Sequence, residues 1–261
     1  IGCTNYCIGF DTAANTAIEC IDKLRDTMQS HERCSVVEVM GRNAGWLTAA
    51  AALSKGEDCE GVDLIYMPET VFDVEKFIAK VGELLKEERS IVIAVSEGIK
   101  VADGRYVCEL ADHIDYVDAF GHKQLAGTAR YLTAEISKRF KVKTRAIELS
   151  SLQRCAAHVT SRIDVTEAFN CGGAAVKLAF EGGNGQVITL QRVSEDPYMC
   201  ITEPADVHFI ANVEKKVPRE WINEDGTYVT PELVHYIRPL IQAEIAPLWV
   251  DGLPRHLKLE K

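Results

Sequence analysis

The chain contains the run Val36-Val-Glu-Val-Met-Gly-Arg-Asn-Ala-Gly-Trp-Leu47, and its fold can be argued outward from there. Apolar residues that continue to Met40 predict a strand of a buried sheet. Gly41 and Gly45 bracket a short turn, and the Ala-rich residues 46–53 predict a helix. The turn therefore lies between the carboxyl end of a strand and the amino end of a helix.

Arg42 is the charged residue of this turn. Backbone N–H groups beside a helix N-terminus suit an anion, and open α/β sheets bind their ligands at the carboxyl ends of strands. The turn thus predicts an anion site. A Gly-Arg-x-x-Gly turn is also compatible with a solvated arginine, so the surrounding sequence has to decide between the two interpretations.

Composition restricts the class of protein. Of 261 residues, 47% are hydrophobic and 26% are charged, as in ordinary globular proteins, and the net charge is −10. The acidic balance argues against nonspecific nucleic-acid binding, and no apolar run reaches the roughly 20 residues that span a bilayer. Nine scattered cysteines without a Cys-x-x-Cys pair predict reduced thiols and a cytoplasmic location.

Further strands and helices alternate along the first 150 residues. This alternation predicts an α/β fold, a mostly parallel sheet flanked by helices. Asp11 or Thr12 is expected to cap the first helix, and Asp73 a later one. Predicted strands cover residues 34–40, 63–67, 90–95 and 144–149. Of the predicted helices, one ends at about residue 28, one begins at residue 73 and one covers residues 121–140.

Polar loops follow three of the predicted strands. They are Gly41-Arg42, Ser96-Glu97-Gly98 and residues 150–154. Because the carboxyl ends of parallel strands meet at one edge of a sheet, the loops are expected to border one crevice. After residue 154 the pattern changes to a helix over 165–180, a strand over 186–191 and a helix that starts at Thr230-Pro231.

Several stretches in one order resemble the 6-phosphofructokinase family, and the similarity covers nearly the whole chain. They are the loop quoted above, Tyr6-Cys-Ile-Gly-Phe-Asp-Thr-Ala13, Ser30-His-Glu-Arg33, Ala94-Val-Ser-Glu97, Ala119-Phe-Gly-His-Lys-Gln-Leu125, Thr144-Arg145 and Leu152-Gln-Arg154. The resemblance implies transfer of a phosphoryl group to fructose 6-phosphate, giving fructose 1,6-bisphosphate in glycolysis, with Mg²⁺ as cofactor.

The resemblance also implies roles for individual residues. Arg42 would stabilise the transferred phosphoryl group, Met40 and Gly41 would line the sugar, and Glu97 would accept a hydrogen bond from a sugar hydroxyl. The implied 6-phosphate ligands are Arg33, Arg145, Ser151 and Arg154.

For three of these residues the resemblance implies something further. In relatives, the arginines that match Arg33 and Arg145 reach into a neighbouring subunit, which implies a homo-oligomer, a dimer or tetramer. Ser151 stands where many relatives have His or Tyr, and a serine hydroxyl has a shorter reach to a phosphate.

The family's Gly-rich phosphate loop and its Thr-x-Asp-Asn-Asp segment do not occur in this sequence. We therefore expect the chain to lack the N-terminal third, with the metal ligands in that part, and to be inactive alone. The expected organisation is a sugar-phosphate domain over 8–153, a segment returning to the phosphoryl-donor domain over 154–205 and a C-terminal extension over 206–261. That tail resembles longer members, many of them pyrophosphate-dependent, so pyrophosphate is favoured over ATP.

Other interpretations of these features stay open at this point. A noncatalytic phosphosugar-binding or regulatory module would keep the arginines without the donor loop. Glu97 can also cap the turn that follows it. Arg25, Arg130 and Arg139 are expected on solvated helix faces. The polar residues Asp112, His113, Asp115, Asp118 and His122 match no standard metal-ligand spacing, so a loop that caps the next helix explains them better.

Overall fold

The computed structural model describes residues 1–111, 127–242 and 245–255. The residues divide into two units. The sheet unit comprises Ala17–Ser151 and Glu214–Tyr236, and the hairpin unit comprises Ile1–Thr16, Leu152–Val213 and the residues from Ile237 onward. The predicted start of a helix at Gly121 and the stretch Ala119–Leu125 lie outside the described residues.

The sheet unit is built on four parallel strands, β1 (Cys34–Val39), β2 (Leu64–Tyr66), β3 (Ile91–Ser96) and β4 (Thr144–Glu148), in the order β2-β3-β1-β4. Its helices are α2 (Trp46–Ala50), α3 (Val74–Glu87), α4 (Thr128–Arg139) and most of α1 (Phe10–Met28). The predicted parallel sheet is therefore confirmed. The Ala-rich helix is shorter than predicted, because a 3-10 turn over Ala51–Ser54 replaces its last turn.

Alternate residues of β1 face opposite sides of the sheet, and helices cover both sides. Val36 belongs to the core that α3 and α4 build with Phe77, Leu132 and Ile136. The hydroxyl of Ser35, the neighbour of Val36 along β1, contacts the sulfur of Met28 on α1 at 3.3 Å. Asp73 caps α3 as predicted, since its carboxylate accepts hydrogen bonds from the second and third N–H groups of the helix.

Arg25 corrects one prediction. It is buried instead of lying on a solvated face of α1, and its guanidinium donates to the carbonyl oxygens of Gly61 and Ser90 and pairs with Asp63. Three partners from two loops thus pair with the buried guanidinium, and these tertiary contacts could not be predicted from the helix pattern. Arg130 and Arg139 do lie on exposed helix faces, where they pair with Glu148 and Glu75.

The hairpin unit contains α5 (Arg162–Phe180) and an antiparallel pair, β5 (Gln186–Ser194) and β6 (Met199–Asp206). The second strand of this pair was not predicted. The unit also contains the short pair β7 (Trp249–Val250) and β8 (Leu253–Pro254). The last helix, α6 (Pro231–Ile241), begins as predicted after Thr230 and contributes residues to both units.

The cap predicted for α1 is wrong, because the helix begins at Phe10 and Asp11 lies within its first turn. Asp164 of α5 caps the helix instead: its carboxylate accepts from the backbone N–H groups of Gly9 and Thr12, at 2.8 Å each, and from the Thr12 hydroxyl at 2.7 Å. A carboxylate at a helix N-terminus also interacts favourably with the helix dipole.

Asp11 is buried beside this cap with two further carboxylates. Its Oδ2 has no hydrogen-bond partner among the described residues, and burial, together with the charges of Asp164 and Glu167, raises the pKa of Asp11 to about 9. The native protein therefore holds a proton on Asp11 that the unfolded chain releases near pH 4. Stability due to this group is greatest below pH 4 and falls as the pH rises toward 9.

We predict that Asp11→Asn stabilises the protein increasingly as the pH rises. An amide imitates the protonated acid, so the free energy of unfolding should increase by at least about 1 kcal/mol at pH 8 and change little at pH 4. Urea unfolding at both pH values measures the difference. Asp26→Asn, which alters an exposed carboxylate of the same helix, should stay within about 0.5 kcal/mol of the wild type. A stability gain that does not depend on pH would contradict the assignment.

Candidate functional site

The loop that carries Arg42 leaves the sheet beside the end of β3. Strands β1 and β3 pair in register up to Val39 and Ser96, so the residues that follow them are neighbours. The Ser96 hydroxyl donates to the Gly41 carbonyl oxygen, and the Gly41 N–H donates to Oε1 of Glu97 at 3.3 Å. The loop is thus bonded at its first residue to the end of the next strand.

Gly98 brings the two backbones into direct contact. A Cβ atom built on Gly98 would lie 1.8 Å from the carbonyl oxygen of Arg42 and 2.6 Å from its Cα. Only a residue without a side chain allows this approach. The backbone of Arg42 is therefore fixed against Gly98, and the half-buried Arg42 side chain starts from a defined point.

Glu38 is a third carboxylate near the strand ends, together with Glu97 and Glu148. It is buried in β1, and its Oε2 accepts a hydrogen bond from the Ala129 N–H at the start of α4, at 2.8 Å. Burial raises the pKa of Glu38 to about 7, and the charges of Glu148 and Glu97 add to the effect. Glu38 is not among the residues predicted for the site, although a glutamate inside an apolar strand is a signal visible in the sequence.

The candidate site residues lie at two ends of the sheet. Met40, Gly41 and Arg42 follow β1, Glu97 follows β3, and Ser151 lies in the 3-10 turn Ser150–Arg154 after β4. The predicted grouping of polar loops after β1, β3 and β4 thus agrees with the strand order. Arg154, at the end of that turn, belongs to the hairpin unit and is exposed.

Arg33 and Arg145 lie at the opposite, amino-terminal end. Arg33 immediately precedes β1, and Arg145 is the second residue of β4, directly opposite Ser35 in the parallel register. A six-residue strand spans roughly 20 Å. Arg33 and Arg145 thus lie on adjacent strands toward the amino-terminal end of the sheet, whereas Arg42 follows the carboxyl end of β1.

Within residues 1–111, 127–242 and 245–255, no group of three or more His, Cys, Asp or Glu side chains is placed to hold a metal ion. The polar cluster Asp112, His113, Asp115, Asp118 and His122 lies outside the described residues. In the part of the chain that the structure describes, no helix is long and apolar enough to cross a membrane.

Comparison with known proteins supports a family assignment. The family model described as Phosphofructokinase matches residues 1–179. The chain is 36% identical over 260 residues to a pyrophosphate–fructose 6-phosphate 1-phosphotransferase of Methylococcus capsulatus, which covers 98% of this chain and 61% of that protein. It is also 34% identical over 192 residues to an ATP-dependent 6-phosphofructokinase of Mycobacterium bovis, covering 73% and 53%.

Solved structures agree with the fold. The crystal structure of a pyrophosphate-dependent phosphofructokinase from Nitrosospira multiformis matches with a TM-score of 0.82 and 32% identity, covering 98% of this chain and 60% of that one. One from Marinobacter aquaeolei gives the same TM-score at 28% identity, covering 99% and 63%. The chain belongs to the phosphofructokinase family. It spans about three-fifths of the length of these relatives.

We predict that Gly98→Ala destabilises the protein by about 1–3 kcal/mol, because the new methyl group overlaps the backbone of Arg42. Chemical denaturation measures the change. The matched control is Gly173→Ala in α5, where the added methyl group meets nothing within 4 Å and the helix gains about 0.5–1 kcal/mol. Equal effects of the two substitutions would contradict the close approach at Gly98.

Proposed function

We propose that this chain is the sugar-phosphate-binding part of a phosphotransferase that converts fructose 6-phosphate to fructose 1,6-bisphosphate with pyrophosphate or ATP. The observation that carries the proposal is the backbone-fixed Arg42 loop at the carboxyl ends of β1 and β3, in a chain of the phosphofructokinase family. A guanidinium held there stays charged and offers paired donors to phosphoryl oxygens.

In this proposal Arg42 stabilises the charge on the transferred phosphoryl group, for which positioning and electrostatics supply most of the catalysis. Met40 and Gly41 line the sugar, and Glu97 accepts a hydrogen bond from a sugar hydroxyl while it holds the Gly41 N–H. Ser151 and Arg154 bind the 6-phosphate, together with Arg33 and Arg145.

Pyrophosphate is the favoured donor, because the relatives of highest similarity named above use it. Phosphoryl transfer also implies Mg²⁺, which neutralises phosphate charge when bound. The described residues supply no metal-ligand group, so no step proposed for this chain uses the metal. None of the nine cysteines, all of which are among the described residues, forms a disulfide, which supports a reducing, cytoplasmic location.

We further propose that residues 154–205 belong to a phosphoryl-donor domain and residues 206–261 to an extension of the fold. Helix α5 supports the first assignment. It buries Asp164 and Glu167 but exposes an apolar stripe, with Phe169 82% and Phe180 90% accessible. A helix with apolar residues on its outer face is typical of one that another layer covers.

A homo-oligomer completes the proposal. Arg33 and Arg145 lie toward the amino-terminal end of the sheet, away from a ligand bound beside Arg42 at the carboxyl end. A second copy can supply them to that ligand. We predict that sedimentation of the full chain with fructose 6-phosphate shows a dimer or larger assembly. Arg145→Ala should weaken ligand binding about 10-fold without changing the protomer's stability. A monomer with full affinity would contradict this arrangement.

We predict different ligand selectivity for two arginine variants. Because Arg42 contacts the transferred group, Arg42→Ala should weaken binding of fructose 1,6-bisphosphate by about 10-fold to 100-fold and that of fructose 6-phosphate far less. Arg154→Ala should weaken both ligands equally, since both carry the 6-phosphate. Isothermal titration calorimetry of the 261-residue chain measures the four affinities.

Arg89→Ala is the control, because Arg89 is an exposed arginine that pairs with Glu32. It should leave both affinities unchanged. If Arg42→Ala lowers the affinity for both ligands equally, Arg42 contacts a group that both ligands share. If it lowers neither affinity, Arg42 is a solvated arginine of the turn. A noncatalytic phosphosugar-binding module remains the alternative. Such a module would bind fructose 6-phosphate equally well. A fusion of the N-terminal part of the Methylococcus capsulatus relative to this chain would then show no phosphoryl-transfer activity.

A further inference from the structure

The Arg42 loop has a second attachment, at its far end, which the proposed function does not use. The backbone N–H of Gly45 donates to Oε1 of Glu69 at 2.9 Å. The same oxygen accepts the N–H of Val217 at 3.0 Å. One carboxylate oxygen, placed just after β2, therefore joins the loop to a segment that is about 170 residues further along the chain.

That segment, residues 214–229, makes three more contacts with the loop and the helix that follows it. Asn43 donates through its amide to the carboxylate of Glu214, and the indole N–H of Trp46 donates to the Lys215 carbonyl oxygen at 2.8 Å. The Trp46 ring packs edge-on against Trp221, with centroids 6.1 Å apart. We call residues 214–229 the strap.

The strap is itself anchored to the sheet unit. Val217, Ile222 and Val229 are buried, and the Thr227 carbonyl oxygen accepts the N–H of Ile65 in β2 at 2.8 Å. Trp221 also packs on Tyr236 of α6, with centroids 4.9 Å apart. Contacts with β2 and α6 therefore fix the strap independently of the loop, so the strap can restrain the loop.

Glu69 lies in close contact with the loop, and one of its carboxylate oxygens is buried without a partner among the described residues. A Cβ atom on Gly45 would lie 2.7 Å from Cβ of Met67 and 2.8 Å from Oε2 of Glu69, so the loop touches the residues after β2 directly. Oε2 of Glu69 is buried and has no hydrogen-bond partner among the described residues. A buried oxygen without a partner costs stability, so the carboxylate is not explained by folding alone.

We propose that Glu69 is a positioning residue for Arg42: its carboxylate locks the far end of the Arg42 loop to the strap, and the strap thereby sets the geometry in which Arg42 meets the transferred phosphoryl group. The second half of this inference rests on the proposed function. The first half, the lock itself, can be measured without any ligand.

Hydrogen exchange followed by mass spectrometry tests the lock on the full chain. Glu69→Ala should speed exchange at least about threefold in peptides covering residues 41–47 and 214–221 together, and leave β3 unchanged. Glu69→Gln keeps an acceptor oxygen and should restore near wild-type exchange. Glu75→Ala, which removes an exposed carboxylate paired with Arg139, is the control. Trp46→Phe removes the indole N–H that Lys215 accepts but keeps an aromatic ring next to Trp221, and should produce a smaller change in the same two peptides.

Calorimetry with the two sugar phosphates tests positioning. Glu69→Ala should lower the affinity for fructose 1,6-bisphosphate about 10-fold while that for fructose 6-phosphate changes less than twofold. In an Arg42→Ala background Glu69→Ala should have no further effect, because a positioning residue acts through the group it positions. Losses that multiply in the double variant would overturn positioning.

Unchanged exchange in Glu69→Ala, or a change in only one of the two peptides, would overturn the lock. If the wild-type chain binds neither sugar phosphate, the proposed function and the role in positioning both fail. The exchange experiment still decides whether Glu69 couples the loop to the strap, so the two failures are distinguishable.

Discussion

The contact between the backbones of Gly98 and Arg42 is the constraint on which the candidate site depends. Two parallel strands in register end at the same level, and the chain must turn away from both ends in the same small space. Glycine at position 98 lets the two turns touch, and a Cβ atom on Gly41 would lie 2.6 Å from the Ser96 hydroxyl oxygen. The position of the loop is consequently set by backbone packing.

Charge is distributed unevenly around this loop. The chain carries a net charge of −10, and Glu38, Glu97 and Glu148 lie at the strand ends near the only arginine of the loop. An anionic ligand gains little there unless positive charge is concentrated locally. Glu38 opposes such a ligand less than an ordinary glutamate would. Burial raises its pKa to about 7, so its carboxylate is partly protonated near neutral pH. Of the other candidate phosphate ligands, Arg33 and Arg145 lie toward the other end of the sheet.

Sequence patterns predicted what depends on neighbouring residues. The apolar run before Met40, the alternation of strands and helices and the cap at Asp73 are local signals, and the structure confirms them. The patterns failed where the partner is distant along the chain. Arg25 is buried because Asp63 and two loop carbonyl groups meet it, and α1 is capped by a residue of α5. The second strand of the hairpin and the role of Glu38 were missed for the same reason, because pairing and burial are set by tertiary contacts.

An arginine that stabilises a developing charge is effective only if its position is fixed before the charge appears, because moving it during the reaction would cost free energy. A loop bonded at one end only can pivot about that end. The Arg42 loop is bonded at Gly41 to the end of β3 and at Gly45 to Glu69, so both ends are held by carboxylate oxygens. The first attachment is local to the sheet, whereas the second is shared through Glu69 with Val217, about 170 positions after Gly45. The precision of the site is therefore a property of the completed fold, and the C-terminal part of the sequence contributes to a site whose charged residue lies near its beginning.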